Sequence, residues 1–272
     1  MGDFELTLTR YAGGDEQVAV PQGVRAIGPR AFRFNRAVRS IRVPEGVVSV
    51  GDEAFAGCEF LESVYLPESV EELGAGAFKG CTHLAEVRLP SRLAALPERL
   101  FLRCTSLRRV ELPKGLEEIR AASFKHCWAL EDAVLPETVQ VVGEGAFRDC
   151  RTLDPAALPA SLEVLEDEAF FGCLALRRAM LPPSVGWLGR RCFMGCSSLV
   201  EAVVPEGVAS IEEEAFAECA RLERVVLPTS LQVVERGAFR ACGRLAACAV
   251  PEGASVRDGA FADGPKGERH GR

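Results

Sequence analysis

The sequence has little of what catalysis or membrane insertion requires. It contains two tryptophans, one asparagine and three histidines, at positions 83, 126 and 270. No run approaches the roughly 20 apolar residues of a membrane-spanning helix. The motifs G-x-G-x-x-G, G-x-x-x-x-G-K-[ST], G-x-S-x-G and H-E-x-x-H do not occur in it. We therefore expect a protein that is not an enzyme and has no cofactor, with His83 and His126 as solvent-facing loop residues.

The charge of the chain argues against two further classes of partner. The formal net charge is −7 over 272 residues, which disfavours a nucleic-acid surface and an anionic membrane surface. Residues 1–20 carry Asp3, Glu5, Arg10, Asp15 and Glu16 and lack the apolar segment of a secretory signal. We expect a cytoplasmic protein as written, and an extracellular or cell-surface protein if a leader is missing.

The dominant feature of the sequence is a period of 23 residues. Proline recurs eleven times at this spacing, from Pro21 to Pro251. Phenylalanine lies eleven residues after each of the first ten prolines, from Phe32 to Phe239, and ten residues after the last one. A third column holds Asn35 in the first repeat and then nine cysteines: Cys58, Cys81, Cys104, Cys127, Cys150, Cys173, Cys196, Cys219 and Cys242. A unit this short cannot bury its apolar face alone, so the constant register predicts a solenoid.

Each repeat predicts short strands separated by turns. The segment "LESVYLP" at 61–67 alternates between two faces, as a strand does, and Pro67 ends it because proline has no N–H for the ladder. The following "PESVEELG" predicts a turn and a second short strand that ends at Leu73. The segment "GDEAFAGC" at 51–58 predicts a turn of helix on the outer side. We expect one continuous rod, about 50 Å long, with an unbroken strand ladder.

The repeat P-x-x-V-x-x-I-G-x-x-A-F-x-x-C-x-x-L-x-x-V-x-L resembles the leucine-rich repeat family, and more closely its BspA-like branch. This resemblance implies an α/β class, right-handed solenoid over residues 18–262, mostly strand and loop, with a parallel β-sheet on the concave side and short helical or 3-10 turns on the outer side. It also implies an N-terminal capping segment at 1–17, with a hairpin that turns at Gly13 and Gly14. Residues 263–272 are polar and glycine-rich, and we expect a disordered tail there.

The cysteine column has three interpretations. Disulfides fit poorly, because the total of eleven is odd and side chains stacked in parallel rarely meet the geometry of a bridge. A metal ladder fits poorly as well. A zinc site of the usual kind needs paired short spacings of Cys or His, and the sequence has a single C-x₃-C, at Cys192 and Cys196. We therefore expect a structural ladder of buried, reduced thiols, each able to donate to a loop carbonyl. Cys192 and Cys248 replace core residues of the repeat and should be buried too.

The outward strand positions form a candidate protein-binding face. One column is polar in its first half, where it contains Tyr65 and Arg88, and then becomes apolar, with Val134, Met180, Val203 and Val226. Arg178, Glu201 and Arg224 lie two residues earlier and form a charged border. An apolar strip flanked by charges is typical of a protein-binding site. Two alternatives remain. Valine can occupy these exposed positions only because it favours strands. The small residues at the neighbouring core position, Ala133, Ala156, Ala179 and Ala202, can also change the packing so that a different residue points inward.

These observations predict a non-catalytic protein-recognition module that binds an unidentified protein. The BspA-like resemblance implies adhesion or interaction at a surface. An intracellular scaffold is the alternative, and an enzyme-associated repeat domain is a remote one. Self-association is the alternative to a foreign partner.

One residue predicts a local defect in the solenoid. Pro155 in "RTLDPAALP" stands in the middle of a predicted strand. It removes an N–H from the ladder and restricts Asp154 before it. We expect a broken hydrogen bond or a bulge between this strand and a neighbour.

Overall fold

The chain forms a stack of coils, one for each 23-residue repeat. A computed structural model describes residues 6–155 and 157–264. Strands of consecutive coils pair in parallel, so that Val64 lies between Ile41 of the coil before and Val87 of the coil after. One apolar core runs from Val18 to Ala260. The solenoid predicted from the period is confirmed.

The coils supply strands to two ladders, and the strands are numbered β1 to β21 along the chain. The first ladder is built from the last residues of the repeats and consists of two sheets. The five-stranded sheet contains β2 (Gln17–Ala19), β4 (Ser40–Arg42), β6 (Ser63–Tyr65), β8 (Glu86–Arg88) and β10 (Arg109–Glu111). The four-stranded sheet contains β14 (Arg178–Met180), β16 (Glu201–Val203), β18 (Arg224–Val226) and β20 (Ala247–Cys248).

The second ladder follows the proline of each repeat and consists of three sheets. The first sheet contains β1 (Leu6–Leu8), β3 (Val24–Ile27), β5 (Ser49–Val50) and β7 (Glu72–Leu73). The middle sheet contains β9 (Ala95–Leu96), β11 (Glu118–Ile119), β12 (Val141–Val142), β13 (Val164–Leu165) and β15 (Trp187–Leu188). The last sheet contains β17 (Ser210–Ile211), β19 (Val233–Val234) and β21 (Ser255–Val256).

The expectation of an unbroken strand ladder is wrong. Between β10 and β14 the pairing of the first ladder is reduced to one isolated bridge from β10 to the next coil, and the described residues around Pro155 form no strand, as its missing N–H predicted. The second ladder stops between β7 and β9. The Gly74 N–H donates to the Val50 carbonyl of the preceding coil at 2.7 Å, and Pro97 holds the equivalent position one coil later. A proline cannot make that bond. Nothing in the structure explains the other interruption, between β15 and β17.

The phenylalanine column continues across every interruption of the strands. Its ten members from Phe32 to Phe239 are 0–1% exposed, and neighbouring rings lie 5.1–5.6 Å apart between centroids. Tyr11 stacks on Phe32 at 4.9 Å and covers the N-terminal end of the column. Because such pairs add to the stability gained by burial, the stack holds the coils in one core where backbone pairing is lost.

The outer side of each coil consists of hydrogen-bonded turns. The described residues contain no helix, so the helical turns implied by the resemblance are absent from them. Two positions in each coil, on either side of the phenylalanine, have positive φ, as at Glu53 with 52° and Gly57 with 71°. A residue in this left-handed region cannot continue a right-handed helix. The chain therefore changes direction twice around each phenylalanine.

The N-terminal segment differs from the expected hairpin. Strand β1 pairs in parallel with β3 of the second ladder, and β2 pairs in parallel with β4 of the first, so the segment follows the path of a coil. Asn35 fixes it: its Nδ2 donates to the Gly13 carbonyl at 3.0 Å, and its Oδ1 accepts the N–H groups of Ala37 and Val38 at 2.9 and 3.0 Å. The boundaries at 17 and 262 remain predictions, and residues 265–272 of the predicted tail lie outside the described residues.

Candidate functional site

The cysteine column forms a ladder of thiol hydrogen bonds between coils. The Sγ of Cys58 donates to the Phe32 carbonyl at 3.0 Å. The other eight cysteines donate to the phenylalanine 26 residues earlier at 3.1–3.2 Å. All nine are free and 0% exposed. The column therefore ties each coil to the preceding one.

Burial makes these thiols unreactive. It raises the pKa of Cys58 and of Cys196 to about 12, and that of Cys150 well above its ordinary value. Because the thiolate is the nucleophile and the metal ligand, neutral thiols at pH 7 are poorly suited to either task. Cys192 is buried as predicted, whereas Cys248 is only half-buried, because β20 is the last strand of its sheet and no further strand covers it.

His83 and His126 lie in different coils and make separate contacts. His83 is exposed, as predicted, with its Nδ1 2.7 Å from the Glu59 carbonyl oxygen. His126 is half-buried rather than solvent-facing, and its Nδ1 lies 3.2 Å from Asp149 Oδ2. Burial lowers the pKa of His126, while the Asp149 carboxylate opposes that effect. His270 lies outside the described residues.

Two findings on the part of the chain that the structure describes concern metals and membranes. No three His, Cys, Asp or Glu side chains come together there as a group that could hold a metal ion. That part of the chain also contains no helix with the length and apolarity of a membrane span.

Several acidic residues of the turns are paired with arginines of neighbouring coils. Arg191 donates from Nε to Glu214 Oε2 at 2.8 Å, and Arg240 donates to the same carboxylate at 3.2 Å and to Glu218 at 3.0 Å. The hydrogen bond from Arg191 is the largest cause that lowers the pKa of Glu214; burial opposes it, and the hydrogen bond from Arg240 lowers the pKa further. Exposed pairs of this kind contribute little stability each. They give these acidic residues a structural role in the contacts between coils.

The structure brings together three of the predicted binding residues in one row. Met180 is the Cα partner of Val203, and Val203 is the partner of Val226, in the parallel strands β14, β16 and β18. Met180 is 49% and Val226 45% exposed, and Val203 is half-buried. The residues before them, Ala179 and Ala202, are buried. Ala179 and Ala202 therefore still point into the core, and the residues after them still point outward, as in the coils that have valine there.

The charged border lies beside this row. Arg178, Glu201 and Arg224 are Cα partners across the same three strands. Glu201 forms an ion pair with Arg224. Arg178 makes no ion pair with any residue that the structure describes.

The other candidate residues lie apart from the row. Val134 is 71% exposed but lies within the interruption of the first ladder. Tyr65 and Arg88 are partners in the five-stranded sheet, beyond that interruption. The Arg42 guanidinium lies 5.6 Å from the Tyr65 ring centroid, and Arg88 pairs with Glu68 at 3.7 Å. The predicted face is therefore divided into two patches.

A cavity of about 130 Å³ opens beside Met180, and sequence reasoning missed it. Pro155 lines one side, and the buried rings of Phe170 and Phe193 line the deep end. Ala179 lines it as well, at a core position where several other coils have valine, as at Val64. The signal was present in the sequence as a strand-breaking proline one repeat before a shortened core residue.

Comparison with known proteins identifies the repeat. The family model of the BspA type leucine rich repeat region matches residues 15–131 and 117–246, with six copies. A leucine-rich repeat protein from Bacteroides ovatus is similar in structure, with a TM-score of 0.69 and 23% identity over 92% of this chain and 78% of that chain. Another, from Eubacterium ventriosum, has a TM-score of 0.57 and 20% identity over 97% of this chain and 89% of that chain. No curated protein matches the chain. The chain belongs to the BspA-type leucine-rich repeat family.

Proposed function

We propose that this chain is a non-catalytic recognition module that binds a protein partner through the row Met180, Val203 and Val226. The observation that supports this is the register of three outward apolar residues on three adjacent, paired strands. Single exposed apolar residues are ordinary on protein surfaces, but a contiguous apolar patch is typical of an interaction site.

Strand propensity does not account for the exposed apolar residues. Valine is favoured in strands, but methionine is neither β-branched nor aromatic, and Met180 is half-exposed in β14. Val134 is 71% exposed and belongs to no described strand. A binding role explains both residues.

The charged border adds a polar edge to the apolar row. Glu201 and Arg224 neutralise each other, so the charge that remains beside the row is that of Arg178. Charges at the rim of an interface act on orientation and specificity more than on affinity. A partner with an apolar strip and an acidic group at one end would match this surface.

We place this recognition at a surface, of the adhesion type that the family resemblance implies. An intracellular scaffold is the second candidate, and the many free thiols favour it, because such thiols persist in a reducing compartment. A leader or membrane anchor encoded upstream of residue 1 would support the surface, and its absence from the gene would support the scaffold.

The proposal is tested by comparing three forms of the chain as bait. One is the wild type, one carries Met180→Glu with Val203→Glu, and one carries Trp187→Glu as the matched control. Trp187 is 48% exposed, against 49% for Met180, but it lies in β15 of the second ladder. We expect a protein that is retained by the wild type and by the control and lost from the double variant.

Two measurements decide the outcome. The double variant should unfold within about 0.5 kcal/mol of the wild type, because outward positions carry little core packing. A loss of several kcal/mol would mean that these side chains belong to the core. Capture of the same protein by all three baits would place the binding site on another face.

A further inference from the structure

The cavity beside Met180 connects the phenylalanine stack with the outward face. Phe170 and Phe193 at its deep end are each 1% exposed, and Leu176 is 3% exposed. Arg178 and Met180, which lie on the exposed face of β14, form its mouth together with Ala157. The cavity therefore reaches from the proposed binding surface into the core.

Two departures from the repeat create this cavity together. Pro155 removes the strand that would lie next to β14. Ala179 is two methyl groups smaller than the valine found at this position in other coils, as at Val225. Ala202 has the same small side chain but does not line the cavity, since its strand β16 is paired on both sides. The shortened core residue opens a cavity where the neighbouring strand is missing.

The size and the lining of the cavity define the group that it can hold. Its volume is about 130 Å³, close to the roughly 150 Å³ of an apolar cavity that binds benzene. Apolar atoms make up the larger part of its lining, with the rings of Phe170 and Phe193 at the deep end, which favours an apolar group. A leucine side chain is of this size and character.

The mouth adds a requirement for negative charge. Arg178 lies at the mouth and makes no ion pair with a described residue, because its strand neighbour Glu201 is paired with Arg224. A guanidinium at such a place pairs best with a carboxylate, which it can hold through two parallel hydrogen bonds.

We propose that this cavity binds the C-terminal residue of a partner protein, with a leucine-sized aliphatic side chain inside it and the terminal carboxylate on Arg178. The inference rests on the proposed function, because it names the anchor residue of the partner that covers the row beside Met180. It extends that function from an apolar surface to a defined chemical group.

The test uses small probes and the full chain labelled with ¹³C at its methionine methyl groups. The chain has three methionines, of which Met180 lies at the mouth and Met194 lies in an outer turn as an internal reference. The probes are N-acetyl-leucine, N-acetyl-leucinamide, which lacks the carboxylate, and 4-methylpentanoate, which lacks the acylamino group. We expect N-acetyl-leucine to shift Met180 saturably with a Kd on the order of 1–10 mM.

Four variants separate the parts of the site. Ala179→Val restores the valine of other repeats and should abolish the shift, whereas the matched Ala202→Val should leave it unchanged. Ala157→Leu blocks the mouth from an exposed position, so it tests the site even if Ala179→Val does not fold. Arg178→Gln should reduce the affinity for N-acetyl-leucine about tenfold, to that for the amide.

Several results would overturn the proposal. A wild-type chain without a saturable Met180 shift, or a shift kept by both Ala179→Val and Ala157→Leu, excludes the cavity. Equal affinity for the acid and the amide excludes the carboxylate, and tighter binding of 4-methylpentanoate assigns the site to a free short-chain acid. If the probes bind but the wild-type bait captures no protein, the proposed function is refuted and the cavity site is not. If the bait captures a protein but the probes do not bind, the cavity site is refuted and the proposed function is not.

Discussion

Raising the pH above 9 should destabilise this protein through its cysteine column. Burial raises the pKa of Cys150 well above its ordinary 9.0, and that of Cys58 to about 12. In the unfolded chain the thiols ionise near pH 9, so above that pH the unfolded chain has released protons that the folded chain keeps. The stability that comes from neutral thiols is therefore complete below about pH 9 and is lost as the pH rises toward 12.

The expected loss is large because the column is long. A thiol that ionises only in the unfolded chain lowers the free energy of unfolding by about 1.4 kcal/mol for each pH unit. Nine such thiols together would remove on the order of 10 kcal/mol per unit, which is comparable to the whole stability of a typical domain. The chain has only four lysines and two tyrosines that titrate in the same range. We expect unfolding by about pH 10.5.

A single substitution isolates the contribution of one thiol. At pH 8, Cys150→Ala should cost about 1–3 kcal/mol, because it removes a buried sulfur and its hydrogen bond to Phe124. This cost should shrink by about 1 kcal/mol between pH 9 and pH 10, because the variant has one thiol fewer to ionise and the full slope of about 1.4 kcal/mol per unit is reached only above the unfolded pKa. The measurement is urea unfolding followed by circular dichroism at pH 8, 9 and 10. Val142→Ala, also 0% exposed, is the non-ionising control, and its cost should not depend on pH.

The pH dependence of the Cys150→Ala cost decides the matter. If the cost is the same at pH 8 and pH 10 while the wild type remains folded, the thiol ionises alike in both states. The ladder of buried neutral thiols would then be wrong.

Three further predictions concern the thiols, a turn and the N-terminal tether. A thiol reagent at pH 8 should label few of the eleven cysteines in native protein and all of them in denaturant, and rapid native labelling of the column would contradict this. Ala122→Gly, at a φ of 55°, should raise the melting temperature by the equivalent of up to about 1 kcal/mol. The control Ala220→Gly, exposed and without positive φ, should lower it, and equal effects would refute the argument. Asn35→Ala should cost about 1–3 kcal/mol and speed hydrogen exchange in Leu6–Leu8, which unchanged exchange would disprove.

The repeat made most of the fold predictable, because each column has one physical task. The spacing of proline and phenylalanine places one ring per coil in the core, and the structure stacks those rings from Phe32 to Phe239. The cysteine column predicted buried thiols, and the structure adds the phenylalanine carbonyl as the acceptor. That acceptor belongs to the preceding coil, so no pattern within one repeat could identify it.

Departures from the repeat were harder to interpret. Pro155 was recognised as a defect because it falls in a strand, but Pro97 was missed, although it removes an N–H by the same mechanism. The hairpin at Gly13 and Gly14 was wrong, because the segment gains more by pairing with β3 and β4 than with itself. Glycines favour tight turns but do not show which strands they connect.

The turn positions with positive φ could not be recognised from the sequence, because many of them are not glycine. Glycine occupies the position two residues before the phenylalanine in coils such as that of Gly76, but Glu53 and Arg99 hold the same conformation. Neighbouring coils impose it on them, because each turn N–H bonds a carbonyl of the next coil, as Glu53 does with Ala75 at 2.9 Å. Tertiary contacts overrode local preference there, so a helix was predicted where turns occur.

The binding row was predictable from its column, but the cavity was not. An outward position follows from alternation along the strand, so Met180, Val203 and Val226 could be placed on one face. The cavity depends on two residues in different coils, Pro155 and Ala179, whose proximity appears only when the coils are stacked. Their combined effect on packing cannot be derived from either residue alone.

Oxidation footprinting of the complex with the captured partner tests the proposed binding face most directly. Hydroxyl radicals oxidise exposed methionine to the sulfoxide, and the chain offers Met180 on the row and Met194 in an outer turn as its own reference. If the row is the interface, partner binding should reduce the oxidation rate of Met180 by about tenfold and leave that of Met194 unchanged. If Met180 oxidises at the same rate in the free chain and in the complex, the partner binds elsewhere and the proposed function of this face is wrong.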